Sequence, residues 1–193
     1  MAETVPLRGR PRSAAVDASI LDAALEEYAA RGFDGMSVDG VAVRAGVGKA
    51  AIYRRYPSKL ELVAAAMYSN SDRKPYPNTG SIEGDLRGIL EHLHDLVNDR
   101  VTGASLRHMA SDAISAPDLG AVHEEFVRGR RAGTKAVLQR AVDRGELRAD
   151  ADLEMANDLL TGPIFYRHLM SHMPVNGPFL DELVATFLRA FAP

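Results

Sequence analysis

The chain has 193 residues, of which 46% are hydrophobic and 25% are charged. This balance is typical of a globular protein with one or two hydrophobic cores and excludes wholesale disorder. No apolar run approaches the roughly 20 residues that a membrane-spanning helix needs, so we expect no membrane partner. Cysteine is absent, which excludes disulfides, thiolate metal sites and cysteine nucleophiles. The N-terminal residues lack the apolar segment of a secretory signal peptide, so we expect a cytoplasmic protein.

Charge is distributed unevenly along the chain. The net charge is −3, yet lysine and arginine outnumber aspartate and glutamate by nine to seven in residues 1–60. Three arginines, Arg8, Arg10 and Arg12, stand close together near the start. Because residues 1–60 are net basic and the rest of the chain is net acidic, we predict that only the N-terminal part binds a negatively charged partner.

Helical periodicity dominates the sequence and strand signals are nearly absent, which predicts an all-α fold with about nine helices. Gly32 is placed as the left-handed cap of the first helix, and Ser37 as the N-cap of the second. Ser58 and Glu61 form a capping box at the start of the fourth. The predicted helices cover about residues 14–31, 38–45, 49–56, 59–70, 82–97, 104–115, 118–144, 152–173 and 178–191.

The second and third predicted helices have the spacing of a helix-turn-helix. Ala42 lies mid-helix, Gly46 follows four residues later, and Ile52 follows six residues after that. Two helices that cross steeply need a small residue at their contact, a glycine to reverse the backbone and an aliphatic anchor. Lys49 and Arg54 are then left on a cationic outer face, which suits the DNA major groove. The alternative is two ordinary amphipathic helices joined by a glycine turn; the long helix before them and the capped helix after them favour the helix-turn-helix.

Residues 15–67 resemble the DNA-binding domain of the TetR (tetracycline-repressor) family of transcriptional regulators. The residues that carry the resemblance are Ile20-Leu21-Asp22-Ala23-Ala24, the segment Arg31 to Val38, and the segment Ala45 to Lys59. The resemblance implies a three-helix helix-turn-helix domain followed by a helical ligand-binding and dimerisation domain. It also implies a sequence-specific repressor that a small molecule releases from its operator. We accordingly divide the chain into a flexible basic arm (1–13), the DNA-binding domain (14–70), a linker (71–80) and the distal domain (81–193).

The same resemblance implies which residues meet double-stranded DNA. Tyr53 occupies a phosphate-binding position, Ser37 resembles a second one, and Lys59 opens the fourth helix against the DNA backbone. The small side chains of Ala50 and Ala51 predict methyl contacts to thymine rather than hydrogen bonds to bases. Tyr56, where the family often has phenylalanine or tryptophan, is expected mainly to pack beneath the helix. The full predicted set is Arg8, Arg10, Arg12, Ser37, Val38, Lys49, Ala50, Ala51, Tyr53, Arg54, Tyr56 and Lys59.

The three arginines of the arm resemble the core of an AT-hook, which predicts binding in the minor groove of A·T-rich DNA. The alternative is a tail that only aids solubility, since chain termini are usually poorly ordered.

The distal two-thirds of the chain predicts a homodimer and a ligand site. The last helix has a broader apolar face than one subunit is expected to cover, and a two-fold protein suits a palindromic operator. The predicted dimer residues are Leu160, Ile164, His168, Leu183 and Phe187. The predicted ligand-binding residues are Met109, Phe126, Phe165, Tyr166 and Met170. For both sets the alternative is ordinary core packing.

No cofactor, metal site or enzyme activity is predicted. His168 and His172 have the i, i+4 spacing of a metal chelate, but surface or interface roles are favoured because no further ligand can be placed. Phosphate-binding loops, GxSxG and HExxH motifs are all missing. The remaining rival is a helical adaptor that binds protein rather than DNA. It needs no basic face, so charge reversal at Lys49 and Arg54 separates the two hypotheses.

Overall fold

The protein is described here by a computed structural model that covers residues 10–71 and 75–193. These residues form nine α-helices and no strand, and none of the helices is long and apolar enough to cross a membrane. The helices are α1 (Arg10–Gly35), α2 (Val38–Ala45), α3 (Lys49–Tyr53), α4 (Lys59–Ser71), α5 (Ile82–Asn98), α6 (Arg100–Ser115), α7 (Pro117–Asp143), α8 (Leu153–Tyr166) and α9 (Gly177–Phe191). A π-helical turn, Arg167–Ser171, continues α8.

Helices α1 to α4 share the first of two hydrophobic cores. Ile20, Val41, Ile52 and Leu62, one from each helix, are fully buried in it. The predicted bounds of α2 are confirmed, because its two caps form as the sequence indicates. The hydroxyl of Ser37 accepts a hydrogen bond from the N–H of Gly40 at 3.0 Å, and Gly46 adopts the left-handed conformation with φ 67°.

Helix α1 is longer at both ends than the sequence predicts. It begins at Arg10 rather than near residue 14, so Arg10 and Arg12 are helical where a flexible arm was expected. Gly32 has a positive φ (66°), as a glycine cap would, but its ψ of −176° is not that of the predicted left-handed cap, and helical structure resumes and continues to Gly35. A residue of α6 accounts for this: the carboxylate of Asp112 accepts the N–H of Phe33 at 2.9 Å. The backbone N–H that follows Gly32 therefore has its hydrogen-bond partner in a helix distant in sequence, and such a partner cannot be predicted from the local sequence.

Two other helix bounds differ from the prediction for local reasons. Helix α3 ends at Tyr53, three residues early, because the next residues fold into a turn on the carbonyl of Ile52. Helix α6 begins at Arg100, four residues early, because the side chain of Asp99 caps it by accepting the N–H of Thr102 at 2.8 Å. This hydrogen bond lowers the pKa of the Asp99 carboxyl.

Helices α5, α7, α8 and α9 enclose the second core. Leu86, Leu138, Leu160 and Phe187, one from each helix, are buried there. Helix α6 lies between the two cores: it packs against α1 more extensively than any other helix does, and it also packs against α5 and α7. Its residue Met109 is buried in the first core. The two units are therefore joined through α6 as well as through the chain that follows α4.

The segment Pro75 to Pro77, which follows α4, lies on α5 and α7 at two glycines. A Cβ atom at Gly133 of α7 would overlap the ring of Tyr76, and one at Gly88 of α5 would come within 3.0 Å of Pro77. The hydroxyl of Tyr76 donates a hydrogen bond of 2.8 Å to a backbone carbonyl of α7. Glycine at these two positions thus lets the segment approach both helices closely.

Candidate nucleic-acid interface and cavity

Helix α2 is fixed on α1 by a partly buried ion network. Arg44 of α2 contacts Glu26 at 3.0 Å and Glu27 at 3.2 Å, and Glu27 also pairs with Arg31 at 3.2 Å. Glu27 is only 2% exposed, so its charge depends on these two arginines. A Cβ at Gly40 would come within 2.5 Å of the Glu27 carboxylate, so glycine is needed where α2 crosses α1. The network sets the orientation of α2 and hence of the turn into α3.

The outer face of α3 is exposed, as predicted. Lys49, Ala50 and Arg54 are exposed, and Tyr53 is 42% exposed. The ammonium of Lys49 contacts Asp39 of α2 at 2.9 Å, and this hydrogen bond raises the pKa of Lys49. Asp39 was not singled out from the sequence, and it partly neutralises the cationic face.

Arg55, next to this face, points into the protein instead. It forms an ion pair with Asp17 of α1 and donates a hydrogen bond of 2.9 Å to the carbonyl of Ala51. Ala51 itself is only partly exposed. Arg55 therefore ties α3 to α1, and of the adjacent arginines only Arg54 is exposed.

The remaining predicted DNA residues differ in how accessible they are. Ser37 is exposed, and its hydroxyl can still donate a hydrogen bond while it caps α2. Val38 is buried at 7% exposure, so its side chain belongs to the core and the prediction of a DNA contact from this side chain is wrong. Tyr56 is half-buried against the first core, as the packing alternative expects, and burial raises its pKa.

Lys59 holds α4 against α1. Its ammonium donates a hydrogen bond of 2.7 Å to the carbonyl of Phe33 and lies 4.3 Å from the centre of that aromatic ring. The remaining donors of the ammonium are the ones that a DNA phosphate can use. Of the predicted arm, Arg8 and the side chains of Arg10 and Arg12 lie outside the described residues.

A cavity of about 600 Å³ opens within the distal helices. This volume is within the usual range for small-molecule sites. Its walls come from α5, α6, α7, α8 and the 75–77 segment, and they are mostly apolar. The apolar side chains that line the cavity include Leu93, Leu106, Met109, Phe126, Val127 and Phe165.

Three of the five predicted ligand residues, Met109, Phe126 and Phe165, line this cavity. The prediction is wrong for Tyr166 and Met170, which are 62% and 69% exposed on the outside of the protein. Phe165 and Tyr166 are neighbours on one helix, so they point in different directions.

Four of the predicted dimer residues are buried within their own subunit. Leu160 and Ile164 are fully buried, and Leu183 and Phe187 are at most 9% exposed. The prediction of an interface from these side chains is therefore wrong, because α8 and α9 use this face to close the second core.

The opposite face of α8 carries exposed apolar side chains instead. Met155, Leu159, Tyr166, Met170 and Met173 are each about half exposed or more. Met155, Leu159, Tyr166 and Met170 are four or seven residues apart, which places them along one side of the helix and its π-helical continuation, and Met173 follows just after that continuation. We call these five residues the α8 stripe.

His168 is held by the protein itself. Its Nε2 lies 2.9 Å from the carbonyl of Gly103, so this nitrogen is the protonated one and donates. Burial, and after it the charges of Arg107 and His172, lower the pKa of His168. An Nε2 that donates to a carbonyl is not available to a metal ion, and within residues 10–71 and 75–193 no group of three or more potential ligands converges.

Comparisons with known proteins identify both halves of the chain. The family model of bacterial regulatory proteins of the tetR family matches residues 20–66, and the model of the tetracyclin repressor-like C-terminal domain matches residues 76–187. The HTH-type transcriptional regulator YdeS of Bacillus subtilis is 33% identical over 178 residues, which is 92% of this chain and 90% of YdeS. The DNA-binding transcriptional repressor TetR of Mycobacteroides abscessus is 29% identical, with 92% of each chain covered.

Solved structures give the same fold. A crystal structure of a TetR-family transcription regulator superposes with a TM-score of 0.74 at 27% identity, covering 92% of this chain and 99% of the other. The transcriptional regulator FadR of Bacillus subtilis, solved in complex with stearoyl-CoA, superposes with a TM-score of 0.67 at 19% identity, covering 89% of this chain and 95% of the other. With a helix-turn-helix whose outer face is exposed and with both family models matched, the chain belongs to the TetR family of DNA-binding transcriptional regulators.

Proposed function

We propose that the protein is a homodimeric cytoplasmic repressor that binds a palindromic operator through α3. A small, mostly apolar molecule that enters the cavity of the distal helices releases it. The exposed cationic and aromatic face of α3 supports operator binding, since Lys49, Tyr53 and Arg54 are the kinds of side chain that contact phosphates and base edges. The cavity and its apolar walls support the ligand.

The position of α6 is the observation that carries the coupling between the two sites. Leu106, Met109 and Ala110 line the cavity, while Met109 is also buried in the first core. Three residues after Met109, Asp112 accepts hydrogen bonds from the N–H of Phe33 and the hydroxyl of Tyr28 in α1. A ligand that shifts α6 therefore shifts α1 as well. If the ligand prefers the shifted state, it lowers operator affinity, and a tenfold loss requires only ~1.4 kcal/mol of coupling.

The α8 stripe is the surface that we assign to the homodimer. It is an apolar band on a helix whose other side already closes the second core. Replacing Leu159 and Tyr166 of the stripe by glutamate places charge in the interface, and we expect a monomer by sedimentation at micromolar concentration. The control is Ile114→Glu, because Ile114 is 89% exposed on α6, outside the stripe. A double variant that stays dimeric contradicts this assignment.

The N-terminal arginines carry a separate proposal, in which Arg8 precedes α1 and Arg10 and Arg12 belong to its first turn. Arginines at positions 8, 10 and 12 suit the minor groove of A·T-rich DNA beside the operator, where the narrowed groove concentrates negative potential. Replacing all three with alanine is expected to lower the slope of log affinity against log salt by about 0.9 for each lost phosphate contact. The palindrome preference is expected to stay, since α3 supplies it. A truncated chain starting at Ser13 with unchanged affinity and slope contradicts the proposal.

The experiment that tests the operator is selection of DNA fragments from a random pool, followed by sequencing. We expect a palindrome with half-sites about one helical turn apart, ~34–36 Å, or slightly more. Charge reversal at Lys49 and Arg54 should abolish selection, whereas the control Arg128→Glu on an exposed part of α7 should not. Selection of no sequence by the intact protein contradicts the proposal and favours the protein-binding adaptor.

The experiment that tests release is a compound screen on the protein–operator complex. We expect a compound that both raises the melting temperature of the free protein and dissociates the complex. A broad library in which no compound does either contradicts ligand-induced release.

A further inference from the structure

Two of the polar side chains in the cavity lining are uncharged and buried. Thr134 of α7 is 5% exposed and Asn157 of α8 is 2% exposed, and both line the cavity. The hydrogen bond recorded for the Asn157 side chain joins its amide nitrogen to Asp158 at 3.5 Å, the limit of such a bond. Because a buried polar group without a good partner is unfavourable, these two side chains favour a polar group in the cavity.

The two side chains belong to the same section of wall. Arg131 of α7 forms ion pairs with Glu154 and Asp158 of α8, and Lys135 pairs with Glu154. These contacts fix an antiparallel alignment of α7 and α8. They bring the turn of α7 that carries position 134 beside the turn of α8 that carries position 157. Thr134 and Asn157 therefore act on one small region.

The ionised side chains of the cavity lining do not add a net formal charge. Glu91, Asp95, Arg130 and Arg131 are the carboxylates and guanidiniums of the lining, and their formal charges cancel. The guanidinium of Arg131 is already bound to carboxylates of α8. His123, which lines the cavity too, is neutral at pH 7, because burial lowers its pKa below the ordinary histidine value.

We propose that the cavity binds an uncharged ligand with an apolar body and one hydrogen-bonding group, a hydroxyl or a carboxamide. Thr134 and Asn157 bind this group, and the apolar side chains around Phe126 and Phe165 bind the body. The threonine hydroxyl and the asparagine amide each offer a donor and an acceptor, so together they match a group that does both. A carboxylate or an ammonium ion would lose its hydration beside Thr134 and Asn157 without gaining a counter-ion from either side chain. This inference rests on the proposed function only in treating the cavity as the ligand site.

The test uses four probes that share an unbranched ten-carbon tail: 1-decanol, decanamide, decanoate and decylammonium. Binding to the full-length protein is measured by calorimetry at pH 7, below the solubility limit of each probe. We expect the two uncharged probes to bind at least tenfold more tightly than either ion. Asn157→Leu and Thr134→Val keep the approximate size of each side chain and should each weaken the uncharged probes by up to about tenfold. Thr186→Val is the matched control, because Thr186 is exposed on α9 and is not part of the lining.

A second readout uses a variant that is expected to bind one of the charged probes more tightly, so it does not depend on loss of affinity. Asn157→Asp places a carboxylate in the same region, so decylammonium should bind more tightly to this variant than to the unmodified protein. The inference is overturned if decanoate binds as tightly as 1-decanol, or if none of the four probes binds. It is also overturned if neither Asn157→Leu nor Thr134→Val alters the preference for the uncharged probes.

Operator binding is followed in parallel by fluorescence anisotropy, which separates the two proposals. Probes that show the expected preference but never release the operator contradict ligand-induced release and leave the ligand class intact. Operator binding with no preference among the probes contradicts the ligand class alone.

Discussion

Asp112 of α6 holds α6 against α1, and its removal is a quantitative test of that contact. Its carboxylate accepts the hydroxyl of Tyr28 at 3.1 Å and the N–H of Phe33 at 2.9 Å. Tyr28 is fully buried, and its burial, followed by the nearby Asp112, raises its pKa, so the hydroxyl stays a donor. Asp112→Ala leaves two donors without an acceptor, and each costs about 1–3 kcal/mol. We expect the free energy of unfolding to fall by about 2–6 kcal/mol in total.

A double-mutant cycle with Tyr28→Phe assigns part of this loss to one contact. Tyr28→Phe alone removes one hydrogen bond to a charged group, worth about 1.5–3 kcal/mol. In that background Asp112→Ala can lose only the bond to Phe33, so we expect a coupling energy equal to the cost of the one remaining donor, about 1–3 kcal/mol. The assay is urea unfolding followed by circular dichroism at pH 7 for the four proteins. Asp34→Ala, an exposed position at the end of α1, should change stability by less than about 0.5 kcal/mol.

The reasoning is refuted if the two substitutions are additive within about 0.5 kcal/mol, since residues that share no interaction behave in this way. It is also refuted if Asp112→Ala unfolds at the same urea concentration as the unmodified protein. A changed dependence on urea without a changed midpoint points to the unfolded chain rather than to the contact.

Three further predictions concern other parts of the molecule. Gly133→Ala should destabilise the protein by about 1–3 kcal/mol, because the new methyl displaces Tyr76. Gly129→Ala on the same helix has open space around it and should stabilise the protein by up to about 1 kcal/mol. Equal melting temperatures for the two variants contradict this prediction. Burial lowers the pKa of His123, so below about pH 6.5 the unfolded chain binds more protons at this residue than the folded protein does, and stability falls as the pH falls. His123→Gln should reduce this loss of stability between pH 7 and pH 5, measured by thermal unfolding. Tyr53→Phe should weaken binding to all DNA sequences alike by roughly 1.5–3 kcal/mol in anisotropy titrations, and a loss confined to the operator argues against a phosphate contact.

The DNA-binding unit could be predicted in detail because its signals are local. Ser37 and Gly46 determine the two ends of α2, and both caps form as expected. Contacts between residues far apart in sequence could not be predicted in this way. The ion pair of Arg55 with Asp17 and the bond from Lys59 to the Phe33 carbonyl turn two cations inward, and no local pattern distinguishes them from Arg54.

The distal helices show a different limit of sequence reasoning. Helix α8 is apolar on two sides, with Leu160 in the second core and Leu159 in the exposed α8 stripe. Periodicity identifies an apolar face but does not say whether the same subunit or another molecule covers it. The interface was predicted on α8 and α9 from side chains such as Leu160 and Phe187 that the subunit itself buries, whereas the α8 stripe that we propose lies on another side of α8.

The seating of Tyr76 and Pro77 on Gly133 and Gly88 has a practical consequence for building hybrid regulators. A chimera that joins the DNA-binding unit of one protein to the sensing unit of another needs a junction, and the end of α4 is the obvious place to cut. Residues 75–77 form part of the cavity wall and fit glycines of α5 and α7, so they must be inherited with the sensing unit. A junction placed after residue 77 would mismatch this fit and alter ligand response even with every helix intact.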